Sequence, residues 1–360
     1  MHRTPTPLRA RALAVAGAGL LLLALSPAMA LAQEASEAPT PTEAAAASEA
    51  PMDAPENPYT ETGAVPGSGE GLTIGYMSLG EYIPFVNLVT NGIIEQAEIA
   101  GVNLVWCDTN TNPEETFACA QQMATQGAQG VINFQVDQQI SPDICNTYNS
   151  VPTIAIDIRQ PPCETIFYGA NNSEAGRLAG SALGEFAKNE WDCEYDAYVS
   201  LESVGAVEAN TLRMGGFRTG FQEHCPLVNE TILADADRTD KALEDVSDLL
   251  PSLPGERILV VAINEDGILG AIGAAATQGR ESDLYYAGQG ADPSIWPTIA
   301  CDPQYIATVA YFPERYGRTV IPAMIDILNG VEVQGPLFTE HEVITSENIR
   351  DIYPDIAPCA

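Results

Sequence analysis

From residue 72 onward the chain repeats one pattern: a short continuous apolar run, a polar break, then a helical stretch. "LTIGYMS" reads as a strand and 84–100 as a helix. "VNLVWC" is followed by a helix over 113–127, with Pro113 in a first turn, where a backbone donor is dispensable. "GVINFQ", a helix near 141–149 and "VPTIAID" complete the series. A second series opens with "TIFYGAN" and a helix over 172–189. "YDAYVSL", helix 208–224, "LVNETILA", helix 239–250, "RILVVAI", helix 267–278 and "DLYYAG" follow. Near the end "YIATVAYF" precedes a helix over 314–329, and "HEVIT" precedes "SENIRDIYP". Strands apolar at every residue, alternating with helices, predict parallel sheets covered on both faces. Two similar α/β units fit the length of 360 residues. No low-complexity segment separates them, so the units are expected to share segments.

The N-terminus changes the picture. Arg3, Arg9 and Arg11 flank an apolar stretch from Ala12 to Leu25 that ends in "SPAMALAQ". A positive flank, a short apolar core and small-residue cleavage positions define a secretory signal peptide, residues 1–32. The apolar core falls short of the roughly 20 residues a membrane span needs. Residues 33–70 are dominated by Ala, Glu, Pro, Thr and Ser and hold too few large apolar side chains for a core, so they read as a disordered acidic tether. Export to the periplasm or the cell exterior follows from this layout.

Charge excludes one class of partner. The formal net charge is −34, and removal of the signal peptide's three Arg takes it to −37. Without a basic patch, the phosphate-neutralising term that drives nucleic-acid binding is missing. Eight cysteines in an exported chain argue for disulfides rather than thiol chemistry. No C-x-x-C occurs and only His224 and His341 follow the signal peptide, so neither a zinc site nor another metal or cofactor motif is expected.

In open parallel sheets, ligands bind beyond the carboxyl ends of the strands. In this chain those ends supply Ser78, Glu81, Tyr82, Phe85, Trp106, Asp108, Asn110, Gln135, Asp137, Asp157, Arg159 and Gln160 in the first unit. The second unit supplies Glu202, Ser203, Asp235, Asp237, Asn264, Glu265, Gln289, Asp292, Trp296 and Tyr311. Carboxylates and amides bond hydroxyls, and aromatic faces cover the apolar side of a sugar ring, so the set suits a neutral polyhydroxy compound. Each Asp or Asn has a second reading as a helix cap. Enzyme readings fail: Ser200 and Ser203 lack a His base, G-x-S-x-G is absent, and "GSGEG" at 67–71 precedes a strand instead of following one. Adjacent Glu265 and Asp266 at a strand-to-helix turn point apart, which does not suit paired-carboxylate hydrolysis.

The stretches "IGYMSLGEYIPFVNLVTNGIIEQAEIAG", "VPTIAID", "YGANNSEAGRLAGSALGEF", "LRMGGFRTGF" and "AINEDGILGAIGAAATQG" occur in the order expected of periplasmic sugar-binding proteins of the ribose-binding type. The chain from about 72 to 356 resembles this family, with "ATVAYFPERYG" and "ITSENI" extending the likeness. The resemblance implies a type I periplasmic binding fold: two Rossmann-like lobes, three hinge crossings and a ligand between them. Crossings are expected near Gly169–Asn171, Tyr311–Pro313 and Leu337–Glu340. Lobe one is then 72–170 plus 312–338, and lobe two 171–311 plus 339–360. The implied role is to capture a monosaccharide or polyol and deliver it to an ABC permease, as a monomer. Two alternatives are a receptor that presents its ligand to a membrane sensor and a binder of another small polar metabolite. The resemblance carries ligand roles onto Asp157, Asn264 and Phe85, with Glu81, Arg159, Asp292 and Tyr311 completing the expected set. It also departs from the family pattern: the family's Asp-Arg pair reads Asp157-Ile158-Arg159, and a cleft Arg expected before "MGGF" aligns with Thr211, with Arg213 close by.

Strand order narrows the cysteine pairing. Cys193 and Cys225 each precede a predicted strand and start at the same sheet edge. Cys107 ends the second strand and Cys119 lies about two turns into the next helix. Cys145 and Cys163 flank the fourth strand, which leaves Cys301 with Cys359 to pin the C-terminal tail. No pair is expected to join the lobes, because a cross-lobe tie resists hinge motion.

Overall fold

The computed structural model of the protein describes residues 57–359 apart from Thr60, Glu61, Val136, Val204 and Ala206. The expected signal peptide, 1–32, and the expected tether as far as residue 56 lie outside the described residues.

Apolar runs become strands at the expected places. In chain order, β1 (Thr73–Ser78), β2 (Asn103–Asp108), β3 (Gly130–Asn133), β4 (Thr153–Ile156) and β5 (Ile166–Gly169) build one parallel sheet. A second parallel set holds β6 (Ala197–Leu201), β7 (Glu230–Leu233), β8 (Ile258–Ala262), β9 (Leu284–Gly290) and β10 (Tyr305–Ala310). The chain then returns to each sheet once: β11 (Leu337–Phe338) pairs parallel with β5, and β12 (Glu342–Ile344) pairs antiparallel with β10. The orders are β11-β5-β4-β3-β1-β2 and β12-β10-β9-β8-β6-β7, the same arrangement twice. The molecule is thus two α/β lobes of the type I periplasmic binding protein architecture. The chain passes between the sheets three times, after β5, after β10 and between β11 and β12.

Helices α1 (Pro84–Ala100), α2 (Pro113–Thr125), α3 (Ser141–Thr147), α4 (Asn172–Trp191), α5 (Val207–Gln222), α6 (Thr239–Leu249), α7 (Glu265–Gln278), α8 (Trp296–Cys301), α9 (Tyr316–Leu328) and α10 (Ile349–Ile352) cover the sheets. Their starts follow local chemistry. Asn112 caps α2 by accepting from the amides of Glu114 and Glu115, with Pro113 at the first helical position. Asn171 caps α4 through the amide of Glu174, and Asn264 caps α7 through that of Gly267. One helix pair matters for the site. A Cβ at Gly176 of α4 would lie 2.1 Å from the carbonyl oxygen of Arg213, and one at Gly220 of α5 would lie 1.9 Å from that of Arg177. Only glycine permits this approach, and it sets the start of α4 beside Arg213.

Two features differ from the sequence reading. Residues 33–70 were expected to form a tether throughout, yet the described part of 57–70 packs on lobe one. Asn57 donates to Thr319 Oγ1 at 3.0 Å, the Tyr59 hydroxyl donates to Asp326 at 2.9 Å, and the Ala64 amide donates to Gln96 at 2.8 Å. A handful of anchors holds this strap where bulk hydrophobicity is too low to announce it. Second, Trp296 opens the short helix α8 and stacks on Tyr353 with ring centroids 3.9 Å apart. It therefore packs lobe two, although its position after β9 had placed it among candidate ligand groups.

The cysteines pair as Cys107–Cys119, Cys145–Cys163, Cys193–Cys225 and Cys301–Cys359, with Cα separations of 5.4–5.9 Å. Each bridge lies within one lobe. Among the described residues, no helix is long and apolar enough to cross a membrane.

Candidate ligand-binding site

The parallel strands of each sheet end in a row of polar residues, and some of these rows meet at the crossings. Asp157 follows β4 with φ +54° and is part-buried. Its Oδ1 accepts from the Tyr316 hydroxyl at 3.0 Å and from the Ala170 amide at 3.3 Å. Burial pushes its carboxyl up to about 6, a rise limited by Arg213 and by these two donors. Phe85, in the first turn of α1, stands edge-on to Tyr316 and Tyr311 with ring centroids 5.9 and 6.4 Å apart. The Tyr311 hydroxyl donates to Oε1 of Gln289, whose buried Nε2 has no partner among the described residues.

Arg213 completes the group from lobe two. Its Nε donates to Oδ1 of Asn172 at 2.6 Å and its NH1 to the Ile263 carbonyl at 3.1 Å, just beyond β8. Its guanidinium lies 5.2 Å from the centre of the Tyr311 ring. The constellation therefore holds an aromatic edge, a part-buried acid, a buried amide and a forked cation. One side comes from lobe one, through Phe85, Asp157 and Tyr316. The other comes from lobe two, through Asn172, Arg213 and Gln289, with Tyr311 at the crossing.

The other expected residues have local partners. Glu81 accepts from the hydroxyls of Ser78 and Thr90, each at 2.5 Å, and from Asn87 at 3.1 Å. Arg159 pairs with Glu164 at 2.7 Å and lies 4.3 Å over the Phe167 ring. Asp292 accepts from the Ser294 amide at 2.8 Å in a tight turn. Asn264 uses both ends of its amide: Oδ1 accepts from Gly267, and Nδ2 donates to the Asp237 carbonyl at 2.9 Å. Among the described residues, no hydrogen bond or ring contact joins these four to the Phe85 group.

The polar triplet after β8 divides its labour. Asn264 caps, while Glu265 turns into the sheet and accepts from the Tyr305 and Thr308 hydroxyls at 2.5 Å each and from the Ala291 amide at 3.1 Å. Burial pushes its carboxyl up to about 7 against those three donors. Asp266 is raised first by burial and then by the neighbouring charges of Asp292 and Asp237. A cavity of about 20 Å³ beyond β2 and β3, lined by Thr109, Asn112, Gln135 and Asp137, holds no more than about one water. It is not a sugar site.

Sequence reasoning missed Asn172 and Tyr316. Both lie inside quoted family stretches, "YGANNSEAG" and "AYFPERYG", but one reads as a helix start and the other as core. Arg213 sits within a helix rather than at a strand end, and α4–α5 packing brings it to the site.

The chain belongs to the periplasmic binding protein domain family, whose model matches residues 74–332. It is 26% identical over 254 residues to the ribose import binding protein RbsB of Escherichia coli, covering 70% of this chain and 83% of that protein. Among solved structures, an ABC transporter solute-binding protein from Mycobacterium smegmatis with bound glycerol superposes with a TM-score of 0.68 at 22% identity. That match covers 80% of this chain and 99% of the other. An ABC transporter periplasmic solute-binding protein from Actinobacillus succinogenes with bound D-allose gives 0.67 at 17% identity, covering 78% and 99%. At these identities the structural matches establish the fold.

Proposed function

We propose that the protein is the extracytoplasmic solute-binding component of an ABC importer and holds one monosaccharide or polyol between its lobes. The observation that carries this reading is the convergence of Phe85, Asp157 and Tyr316 with Asn172 and Arg213 at the crossings. Asp157 accepts hydroxyl hydrogens, Arg213 and Asn172 donate to hydroxyl or ring oxygens, and Phe85 covers the C–H face of the ring. Membership of the family and the sugars and polyols bound by its structural neighbours support the ligand class. The family's role supports delivery to a permease. Lobe one comprises 72–170 plus 312–338 and lobe two 171–311 plus 339–360. A ligand touching both lobes favours their closure. The chain acts as a monomer, is exported through residues 1–32, and carries out no catalysis.

Thermal unfolding of the mature protein with D-ribose, D-allose, myo-inositol and glycerol tests this. Ligand at 100 times Kd adds about 2.7 kcal/mol to the folded state. At least one compound is expected to raise Tm without being consumed. A flat panel, extended to other pentoses, hexoses and polyols, overturns the reading, as does turnover.

A further inference from the structure

The third crossing carries a part-buried histidine, His341, whose two ring nitrogens reach the other two crossings. The Asn171 amide, in the first crossing, donates to Nε2 of His341 at 3.0 Å. Nδ1 of His341 faces the carbonyl of Ala310, where β10 ends and the second crossing begins, at 3.3 Å. A carbonyl satisfies only a donor and an amide N–H only an acceptor, so Nδ1 carries the hydrogen and Nε2 does not. The ring also stands edge-on to Tyr311 with centroids 5.2 Å apart.

A second tie mirrors this one on the lobe-one side. Thr339 donates its amide to the Gly169 carbonyl at 2.9 Å and its hydroxyl to the Tyr311 carbonyl at 2.8 Å. His341 reaches Asn171 at the foot of α4 and Ala310 at the end of β10, both on the lobe-two side. Between the ties lie only Ala170, Tyr311 and Glu340. Phe312, one residue past the Tyr311 tie, has φ +51°, a conformation that persists in a non-glycine residue only where the surroundings fix it.

We propose that His341, as the neutral Nδ1–H tautomer, is a positioning residue that clamps the three crossings on the lobe-two side and confines lobe rotation to the short segments between the ties. The consequence for affinity rests on the solute-binding reading above, whereas the clamp itself does not. Charged groups that face the ring are Glu174 of α4 and Arg213 of α5. Burial, aided by Arg213, holds the imidazole down to about 4 against Glu174 and the Ala310 carbonyl. At pH 7 the ring is therefore neutral. Arg213 thus serves two roles: it belongs to the ligand constellation and helps keep the clamp uncharged.

The test uses the nitrogen-15-labelled mature chain without any sugar. The chain has three histidines and export leaves His224 and His341, so His341→Gln assigns the ring signals by difference. At pH 7 the expected ring pattern is a protonated Nδ1 and a bare Nε2, and a protonated Nε2 overturns the clamp. His341→Phe keeps a flat ring but removes both bonds, so the Asn171 amide should exchange roughly tenfold faster, the equivalent of one net hydrogen bond. His341→Gln, with one acceptor and one donor, should restore protection. The Val261 amide in β8 serves as the control for general destabilisation. Equal Asn171 exchange in the parent and His341→Phe, or Val261 accelerated as much as Asn171, refutes the proposal. Calorimetry with whichever of D-ribose, D-allose or myo-inositol stabilises the parent should then show about tenfold weaker binding for His341→Phe and parental binding for His341→Gln. Equal affinity in all three refutes the affinity half. A panel with no stabilising sugar refutes the solute reading and leaves the exchange result to decide the clamp.

Discussion

Tyr316 donates its hydroxyl hydrogen to Oδ1 of Asp157 across 159 positions of sequence, at 3.0 Å. The bond ties the start of α9, just past the second crossing, to the end of β4. Tyr316→Phe keeps the ring packing and removes this donor, so the Asp157 carboxyl should rise beyond its value of about 6. A hydrogen bond to a charged acceptor is worth about 1.5–3 kcal/mol, and one to a neutral acceptor less. Because the folded value lies above the ordinary 3.8, Asp157 favours the fold most when protonated and loses that contribution as pH rises through about 6. Urea unfolding should therefore show a larger loss for Tyr316→Phe at pH 8 than at pH 4.5. Equal losses contradict this.

Glu265 makes a second pH prediction. Its folded value of about 7 exceeds the ordinary 4.5, so its contribution is complete below about 4.5 and gone above about 7. The difference corresponds to roughly 3 kcal/mol. Glu265→Gln cannot ionise, so its Tm profile between pH 5 and 8 should be flatter than the parent's. At pH 5 the parent carboxyl is itself protonated and matches the amide in charge, so the gap between the two stabilities at pH 5 should shift in the variant's favour as pH rises to 8. Parallel profiles count against the assignment.

The Cys301–Cys359 bridge spans 58 positions and fastens the tail after α10, while Cys107–Cys119 spans 12. Loop-closure entropy predicts a loss of about 4 kcal/mol for Cys301→Ser with Cys359→Ser, against about 3 kcal/mol for the shorter loop. Denaturant unfolding of the two double variants checks the order.

Arg213 bridges Asn172 and the Ile263 carbonyl, a forked task that a lysine ammonium does not reproduce. Arg213→Met should weaken the sugar that best stabilises the parent by roughly 10- to 100-fold, the range for a hydrogen-bonded charge. Arg213→Lys should recover only part of this. Calorimetry showing parental affinity for Arg213→Met removes it from the site.

Most of the fold was legible because buried parallel strands announce themselves as unbroken apolar runs, as in "RILVVAI" and "VPTIAID". The strap at 57–70 was not, because its hold on lobe one rests on scattered hydrogen bonds, from Asn57, Tyr59, Ala64, Gly67 and Gly69, and on little apolar surface beyond Tyr59 and Ala64. Phe85, Asp157 and Tyr311, read from strand ends and resemblance, do meet at the crossings. Asn264 illustrates the limit: an Asn after a strand reads equally as ligand group or cap, and its cap bond to Gly267 is visible only in three dimensions. Arg213 and His341 reach their places through helix packing and a chain return, neither of which leaves a local signature.

A sugar or polyol held between the lobes should draw them together. Small-angle scattering of the mature protein, with and without a saturating concentration of the compound that most raises Tm, tests it directly. The radius of gyration should be smaller with ligand, and the Asp157→Ala variant should give the same value in both conditions. An unchanged radius for the parent at proven saturation contradicts closure around a ligand held at the crossings.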